Sequence, residues 1–348
     1  MLKTQNTSAA KKRNNIIVLM CLLLPVSFVL AIAYGTVSIP MHDVWNTLIS
    51  VDGHSKSNVI IEQIRLPRAL LGVFIGALLG ICGASTQGLF RNPLADPSLI
   101  GVTAGASMGG SLTIFFASKL TLGGLVGLSL VSVGAFLGGV ITVLFVYQLS
   151  SNKEQGTSVA TMLLAGIAIT ALAGGLTSLL EFFSSNEMLR QISLWRMGGL
   201  DGANFKHVSL AMLVSIAILY ALPHYSTALN ALLLGESEAR HLGISVQTVK
   251  LKIVFIVAAG IGISVALAGT IVFVGLVVPH IIRLLIGPDH RYLLPMSAVG
   301  GAILLLLADT LARTVFAPTE LPVGIVTTLL GAPFFISLLR HRHEYGMR

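Results

Sequence analysis

The run from Ala69 to Phe90 carries no charged side chain. It is framed by Arg65-Leu66-Pro67-Arg68 on one side and by Arg91-Asn92-Pro93-Leu94-Ala95-Asp96-Pro97 on the other. At about 1.5 Å per residue, a helix of this length crosses a hydrocarbon layer about 30 Å thick. In lipid the backbone has no water to bond, so such a run closes its own hydrogen bonds as a helix. Composition points the same way. The chain is 54% hydrophobic and 10% charged, with a mean hydropathy of +0.88, whereas a soluble domain carries about 25% charged residues. A soluble enzyme is excluded. The net charge of +8 lies at the flanks of apolar runs, so it signals membrane surface rather than nucleic acid.

Reading the other apolar runs predicts about ten transmembrane helices in an all-α polytopic fold. They fall at 16–36, 69–90, 97–118, 124–149, 157–180, 207–222, 251–268, 270–286, 292–312 and 321–339. One membrane domain then fills 1–348, with an N-tail over 1–15, a polar segment over 232–246 and a C-tail over 340–348. The uncharged run from Ile253 to Ile282 is too long for one crossing and is broken at Gly269. The run from Leu120 to Asn152 is one span that starts at Gly123-Gly124. Lys11-Lys12-Arg13 followed by Ala31-Ile32-Ala33 imitates a signal peptide. The stretch from Ile16 to Tyr34 is long enough to span, and it reads as the first helix. An even number of spans puts both basic tails in the cytoplasm. Lys11, Lys12, Arg13, Lys153, Arg240, Lys250, Arg340, Arg342 and Arg348 then share that side. Gly72, Gly76 and Gly80 recur every fourth residue, as do Gly101, Gly105 and Gly109, and Gly134 with Gly138. Small residues at that spacing suit close helix crossings in lipid.

Arg65 and Arg68 are three apart and share one helical face. Arginine has the wrong sign for a helix N-terminus, so the pair predicts an acidic partner outside the chain. The segment Gly235-Glu236-Ser237-Glu238-Ala239-Arg240-His241-Leu242-Gly243 is a polar island bracketed by glycines. Glu236 and Arg240 are placed to pair. The island reads either as a solvated loop helix or as a helix that docks into a cytoplasmic partner. No G-x-x-x-x-G-K-[ST] motif and no Gly-Lys dipeptide occurs, so the chain has no P-loop for ATP. Asp309 and Glu181 lie towards the outer ends of their spans, and Asp309 can pair with Arg313 one turn on. Without a mid-span carboxylate, an ion-coupled carrier is disfavoured. No nucleophile and base stand together for an intramembrane enzyme. His280, after Pro279, is expected to hydrogen-bond locally rather than bind a metal or haem iron. Cys21 and Cys82 lie in apolar runs and suggest neither a disulfide nor a metal site.

Several blocks in order carry a family likeness. They are RLPR (65–68), GLFRNPLADPSLIGVTAGA (88–106), LWRMGGLDG (194–202), LLLGESEARHLGI (232–244), GTIVFVGLVVPHIIRLLIGPDHRYLLP (269–295) and ADTLAR…ELPVGIVTTLLGAPFFISLL (308–339). Together they resemble the FecCD-type permeases, the membrane subunits of ABC importers for ferric siderophores, haem and vitamin B12. The resemblance implies a fold like that of the vitamin B12 importer permease, a type II ABC importer, in the bacterial inner membrane. It implies a homodimer, two cytoplasmic ATPase subunits that hold ATP and Mg, and a periplasmic binding protein, with no cofactor bound by this chain. It implies that Arg65, Arg68 and Arg313 dock the binding protein. It implies that Gly235, Glu236, Glu238, Ala239, Arg240, His241, Leu242 and Gly243 couple to the ATPase, and that an inner gate lies around Gly156, Thr157, Ser158 and Thr161. The form of LWRMGG and GPDHR resembles haem and B12 permeases, and the closing ELPVG…GAPFF block tilts the cargo to haem. Haem-type members tend to carry an apolar residue after the tryptophan. This chain has Arg196, which either meets a haem propionate or faces the lipid headgroups.

Overall fold

A computed structural model describes residues 2–40, 42, 44, 47, 56–119, 124–152 and 156–340. Lys153, Arg342, Arg348 and the rest of the tail from 341 lie outside the described residues, as does Gly123. Thirteen named helices run in order. They are α1 (Leu2–Ala33), α2 (Leu66–Leu89), α3 (Val102–Lys119), α4 (Gly124–Ser150), α5 (Val159–Phe182), α6 (Asn186–Arg196) and α7 (Phe205–Ala221), then α8 (Ser226–Leu232), α9 (Glu236–His241), α10 (Val246–Ala268), α11 (Val274–Ile286), α12 (His290–Thr314) and α13 (Val323–Arg340). One helical turn at Lys56–Ile60 and a π-helical turn at Ile61–Arg65 lead straight into α2. A two-residue hairpin, β1 (Ser151–Asn152) with β2 (Gly156–Thr157), joins α4 to α5.

Seven of the helices are long and apolar enough to cross a membrane, and α3, α11 and α13 are shorter apolar helices. Each predicted span finds a helix. The predicted break at Gly269 is real: α10 stops at Ala268, and Gly269 (φ 63°) and Phe273 (φ 69°) turn the chain in the left-handed region before α11. Several boundaries differ: α1 begins at Leu2 rather than 16, and α10 at Val246 rather than 251. The third span starts at Val102 rather than 97, because Asp96 caps a 3-10 turn over Pro97–Ile100 and Gly101 (φ 77°) ends it. A 3-10 turn at Leu222–Tyr225, carrying Pro223, passes into α8.

α2 is the centre of the bundle and packs on α7, α10, α11 and α12. A β-carbon on Gly76 would stand 2.4 Å from the Gly301 carbonyl oxygen, one on Gly80 2.0 Å from that of Ser297, and one on Gly83 1.9 Å from that of Gly275. Only hydrogen fits at these crossings, so the glycine spacing acts as the sequence predicts. α3 and α4 cross equally closely at Gly105, Gly109, Gly134 and Gly138. The buried apolar side chains form one continuous cluster from Met20 to Val323. α1 and α12 meet through a second, smaller cluster around Ala31, Ile32 and Leu306.

Candidate functional site

Three places in this bundle hold the residues singled out in the sequence: the end where α1 finishes, a cleft beside α6, and the opposite end at α9. At the first, Arg65 Nη1 donates to the carbonyls of Ile32 (2.8 Å) and Ala33 (2.7 Å), and its Nη2 donates to that of Val37. Arg313 Nη2 donates to the Ala31 carbonyl at 2.9 Å. The last carbonyls of α1 have no helical partner and carry partial negative charge, and two guanidinium groups satisfy them. Arg68 forks onto Asp309 through Nε and Nη2 (3.1 and 3.0 Å), while its Nη1 holds Glu320 at 2.6 Å. Arg313 Nε closes on Asp309 at 3.0 Å, the pairing that the i, i+4 spacing predicts. The three arginines are therefore brought together, at 3–6% exposure.

Within the chain itself the arginines already have partners. Arg68 is answered by the chain's own Asp309 and Glu320, more than two hundred residues away in sequence, while Arg65 is answered by the end of α1. The wrong-sign argument also loses its premise, because the helix continues back through the π turn to Lys56. Glu320, with its side chain 37% exposed, is the accessible acid of the network.

The cleft beside α6 has a volume of about 360 Å³ and is lined by Ser98, Thr103, Ser107, Thr170, Thr270 and Arg196 among others. Its wall is built by three sequence blocks. The Trp195 ring seats on Gly110 of α3, where a β-carbon would stand 2.3 Å from the ring. The Gly199 N–H bonds the Ala268 carbonyl at 2.9 Å, and the Gly324 N–H bonds that of Gly198 at 3.2 Å. LWRMGG, the break after α10 and the start of α13 thus meet at one joint, which no single block announces. Arg196 Nη1 donates to Glu181 Oε1 at 2.7 Å, with side chains 43% and 28% exposed, so the guanidinium faces the cleft with an acid already on it. Asp96 also differs from its expected place in an end turn. It shares a small inner cavity with Ile75 and Leu79, in the middle of α2, and with Ser264 of α10. A carboxylate does stand at depth, on a segment that folds back between spans rather than within one.

At the far end, α9 is bracketed by Gly235 (φ 124°) and Gly243 (φ 81°), conformations that side chains with a β-carbon rarely adopt. Ala239 is fully buried, while Glu238, Arg240, His241 and Leu242 face outward. Glu236 does not take Arg240, as its spacing suggested. Its carboxylate accepts from the buried Lys250 at 2.6 Å. Lys250 donates also to the Thr157 carbonyl (3.3 Å), and the Thr157 N–H donates to Gln247 Oε1 (2.9 Å). Of the expected gate residues, Thr157 in β2 is thus linked to the base of α9 through Lys250; Gly156 precedes it in β2, and Ser158 caps α5, accepting from the Thr161 N–H at 3.4 Å. Upstream, Asn230 Nδ2 donates to Asp289 at 2.7 Å, and Asn230 Oδ1 accepts the His290 N–H at 2.9 Å. Burial works against the Asp289 charge. Hydrogen bonds from the Arg291 N–H and the Asn230 amide outweigh it and hold the carboxyl below its usual range.

Among the described residues, no three His, Cys, Asp or Glu side chains gather as a metal site. His280 does not bond locally as expected. It is 4% exposed with both ring nitrogens unbonded, and it meets the Phe334 ring edge-on at 6.3 Å between centroids.

Residues 23–341 match the FecCD transport family. The chain is 42% identical over 312 residues to the hemin transport system permease protein HmuU of Yersinia pestis, covering 89% of this chain and 90% of that one. It is 43% identical over 286 residues to the cobalamin import system permease protein BtuC of Halobacterium salinarum, covering 82% and 74%. A solved structure described as an inward-facing conformation of a metal-chelate type ABC transporter superposes with a TM-score of 0.82 at 32% identity, over 94% of this chain and 99% of that one. With a family model that spans nearly the whole chain and a matching bundle, this chain belongs to the FecCD transport family.

Proposed function

We propose that this chain carries haem across the bacterial inner membrane. At the coarser level it is the permease of a type II ABC importer and no enzyme, as its family and its structural neighbour require. One observation supports haem among the cargoes of that family. A hydroxyl-lined cleft presents one exposed guanidinium, Arg196, held by a single half-exposed acid. A flat apolar ligand with carboxylates can displace Glu181 and take the fork. The hemin permease is also matched over more of both chains than the cobalamin permease, although its identity is no higher. That parity supports the second reading, cobalamin or a ferric siderophore in the same architecture.

The family implies a dimer, ATPase subunits and a binding protein. In this reading α9 contacts the ATPase through Glu238, Arg240, His241 and Leu242, and both chain ends lie in the cytoplasm. The binding protein docks at the arginine end. There a partner carboxylate replaces Glu320 on Arg68, over a floor fixed by Arg65 and Arg313.

The deciding experiment is uptake into proteoliposomes that hold this chain with its ATPase, binding protein and ATP, offered haem, cobalamin and a ferric siderophore side by side. ATP-dependent haem accumulation, lost in Arg196→Ala, is the expected result. An exposed ion pair contributes about 0–1 kcal/mol to stability, so that variant folds. Accumulation of another cargo alone overturns haem, and uptake driven by an ion gradient without ATP overturns the importer.

A further inference from the structure

The joint at the base of α9 does more than hold a loop. Gln247 and Lys250 stand three apart on the first turn of α10, and so on one face. Between them they take both backbone groups of one residue: Gln247 Oε1 accepts the Thr157 N–H at 2.9 Å, and Lys250 Nζ donates to the Thr157 carbonyl at 3.3 Å. Thr157 closes the hairpin opposite Ser151, immediately before α5. The same ammonium holds Glu236, the first residue of α9, at 2.6 Å. Lys250 is 4% exposed. α9 and the entry to α5 therefore share one buried cation, though 79 residues separate Thr157 from Glu236.

We propose that Lys250 and Gln247 form a clamp that carries displacement of α9 to the hairpin at the head of α5, with Lys250 as the positioning residue where the two meet. This rests on the reading of α9 as the ATPase contact. The physical argument concerns what a buried ammonium can do when its carboxylate moves. Little water reaches it, and leaving it unpaired is unfavourable. If α9 shifts and carries Glu236 with it, Lys250 either follows the carboxylate and pulls away from Thr157, or keeps Thr157 and moves the hairpin. In both cases the Thr157 backbone is disturbed, either by losing its Lys250 donor or by moving with it. Upstream, Asn230 ties α8 to the start of α12 through Asp289 and His290. Movement of α9 is therefore not dissipated along α8 and passes to Lys250. Gln247 holds the Thr157 N–H independently and gives the hairpin a fixed register on α10.

The test uses the full chain reconstituted with its ATPase and binding protein, with ATP hydrolysis and cargo import measured separately. Lys250→Met keeps the length of the side chain and removes its charge. Import per ATP is expected to fall about tenfold or more, with hydrolysis kept within about twofold, as for the loss of a coupling free energy between two sites. Lys250→Arg restores donors to both acceptors and is expected to recover most of the import. Gln247→Leu leaves the Glu236–Lys250 pair intact and is expected to lower the same ratio. A Lys250→Met or Gln247→Leu protein that imports at the unmutated ratio overturns the clamp. If Lys250→Met does not assemble, Gln247→Leu decides by the same ratio. A separate variant, with Glu238, Arg240 and Leu242 all changed to Ala, isolates the underlying reading. If the ATPase still binds it normally, α9 is not the contact and the clamp falls with it. If the ATPase is lost from that variant while Lys250→Met and Gln247→Leu couple normally, only the clamp fails.

Discussion

Arg68 touches two carboxylates at once, one buried and one half-exposed, and the two bonds differ in consequence. With Asp309, whose side chain is 3% exposed, it shares a site where an uncompensated charge is costly. Arg68→Ala is expected to destabilise the detergent-solubilised protein by about 3–5 kcal/mol, as for breaking a buried pair, measured as a fall in its thermal unfolding midpoint. Glu320→Gln is expected to leave that midpoint nearly unchanged and to tighten docking of the binding protein by freeing Arg68 Nη1. Weaker docking would count against displacement of Glu320. Legibility at this scale followed sequence distance. The Asp309–Arg313 pair was readable because a helix brings positions four apart together. Arg68 with Asp309, and Glu236 with Lys250, join residues that only the packed bundle makes neighbours, so local spacing offered Glu236 the wrong partner in Arg240.

Helices fared better than contacts, because a charge-free run has one outcome in lipid and a Gly269 break has one backbone explanation. What the runs did not disclose was which helix lies inside. α2 and α5 are equally apolar, yet 83% of the most apolar stretch of α2 is buried and 17% of that of α5. Lipid is as apolar as leucine, so hydropathy does not separate a central span from a peripheral one. The glycines do. A β-carbon at Gly80 would overlap the Ser297 carbonyl, whereas one at Gly174 of α5 meets nothing within 4 Å. Gly80→Val is expected to destabilise the α2–α12 crossing by about 1–3 kcal/mol, read by thermal unfolding of the purified chain. Gly174→Leu, on the exposed outer face of α5 beside Leu172 and Leu176, is expected to leave that midpoint alone. A midpoint lowered as much by Gly174→Leu as by Gly80→Val would deny that the crossing is what Gly80 serves.

Across the whole molecule the two ends are fastened differently. At the end of α1, Arg65, Arg68 and Arg313 tie α1, α2 and α12 with buried ionic and carbonyl bonds on every donor group named above. At the opposite end, α9 and the β1–β2 hairpin meet the bundle through the bonds of Lys250 and Gln247, with outward-facing Leu242 and Glu238 beyond. Amide hydrogen exchange is expected to be slow at 31–33 and much faster at 156–158 in the ATP-free complex, since local opening follows the density of buried contacts. Equal rates would deny the asymmetry. The buried arginine network then has a mechanical meaning. In the reading proposed above, that end of the bundle is the pivot of a pair of tongs, so a small push at the free end opens the jaws there while the pivot stays still.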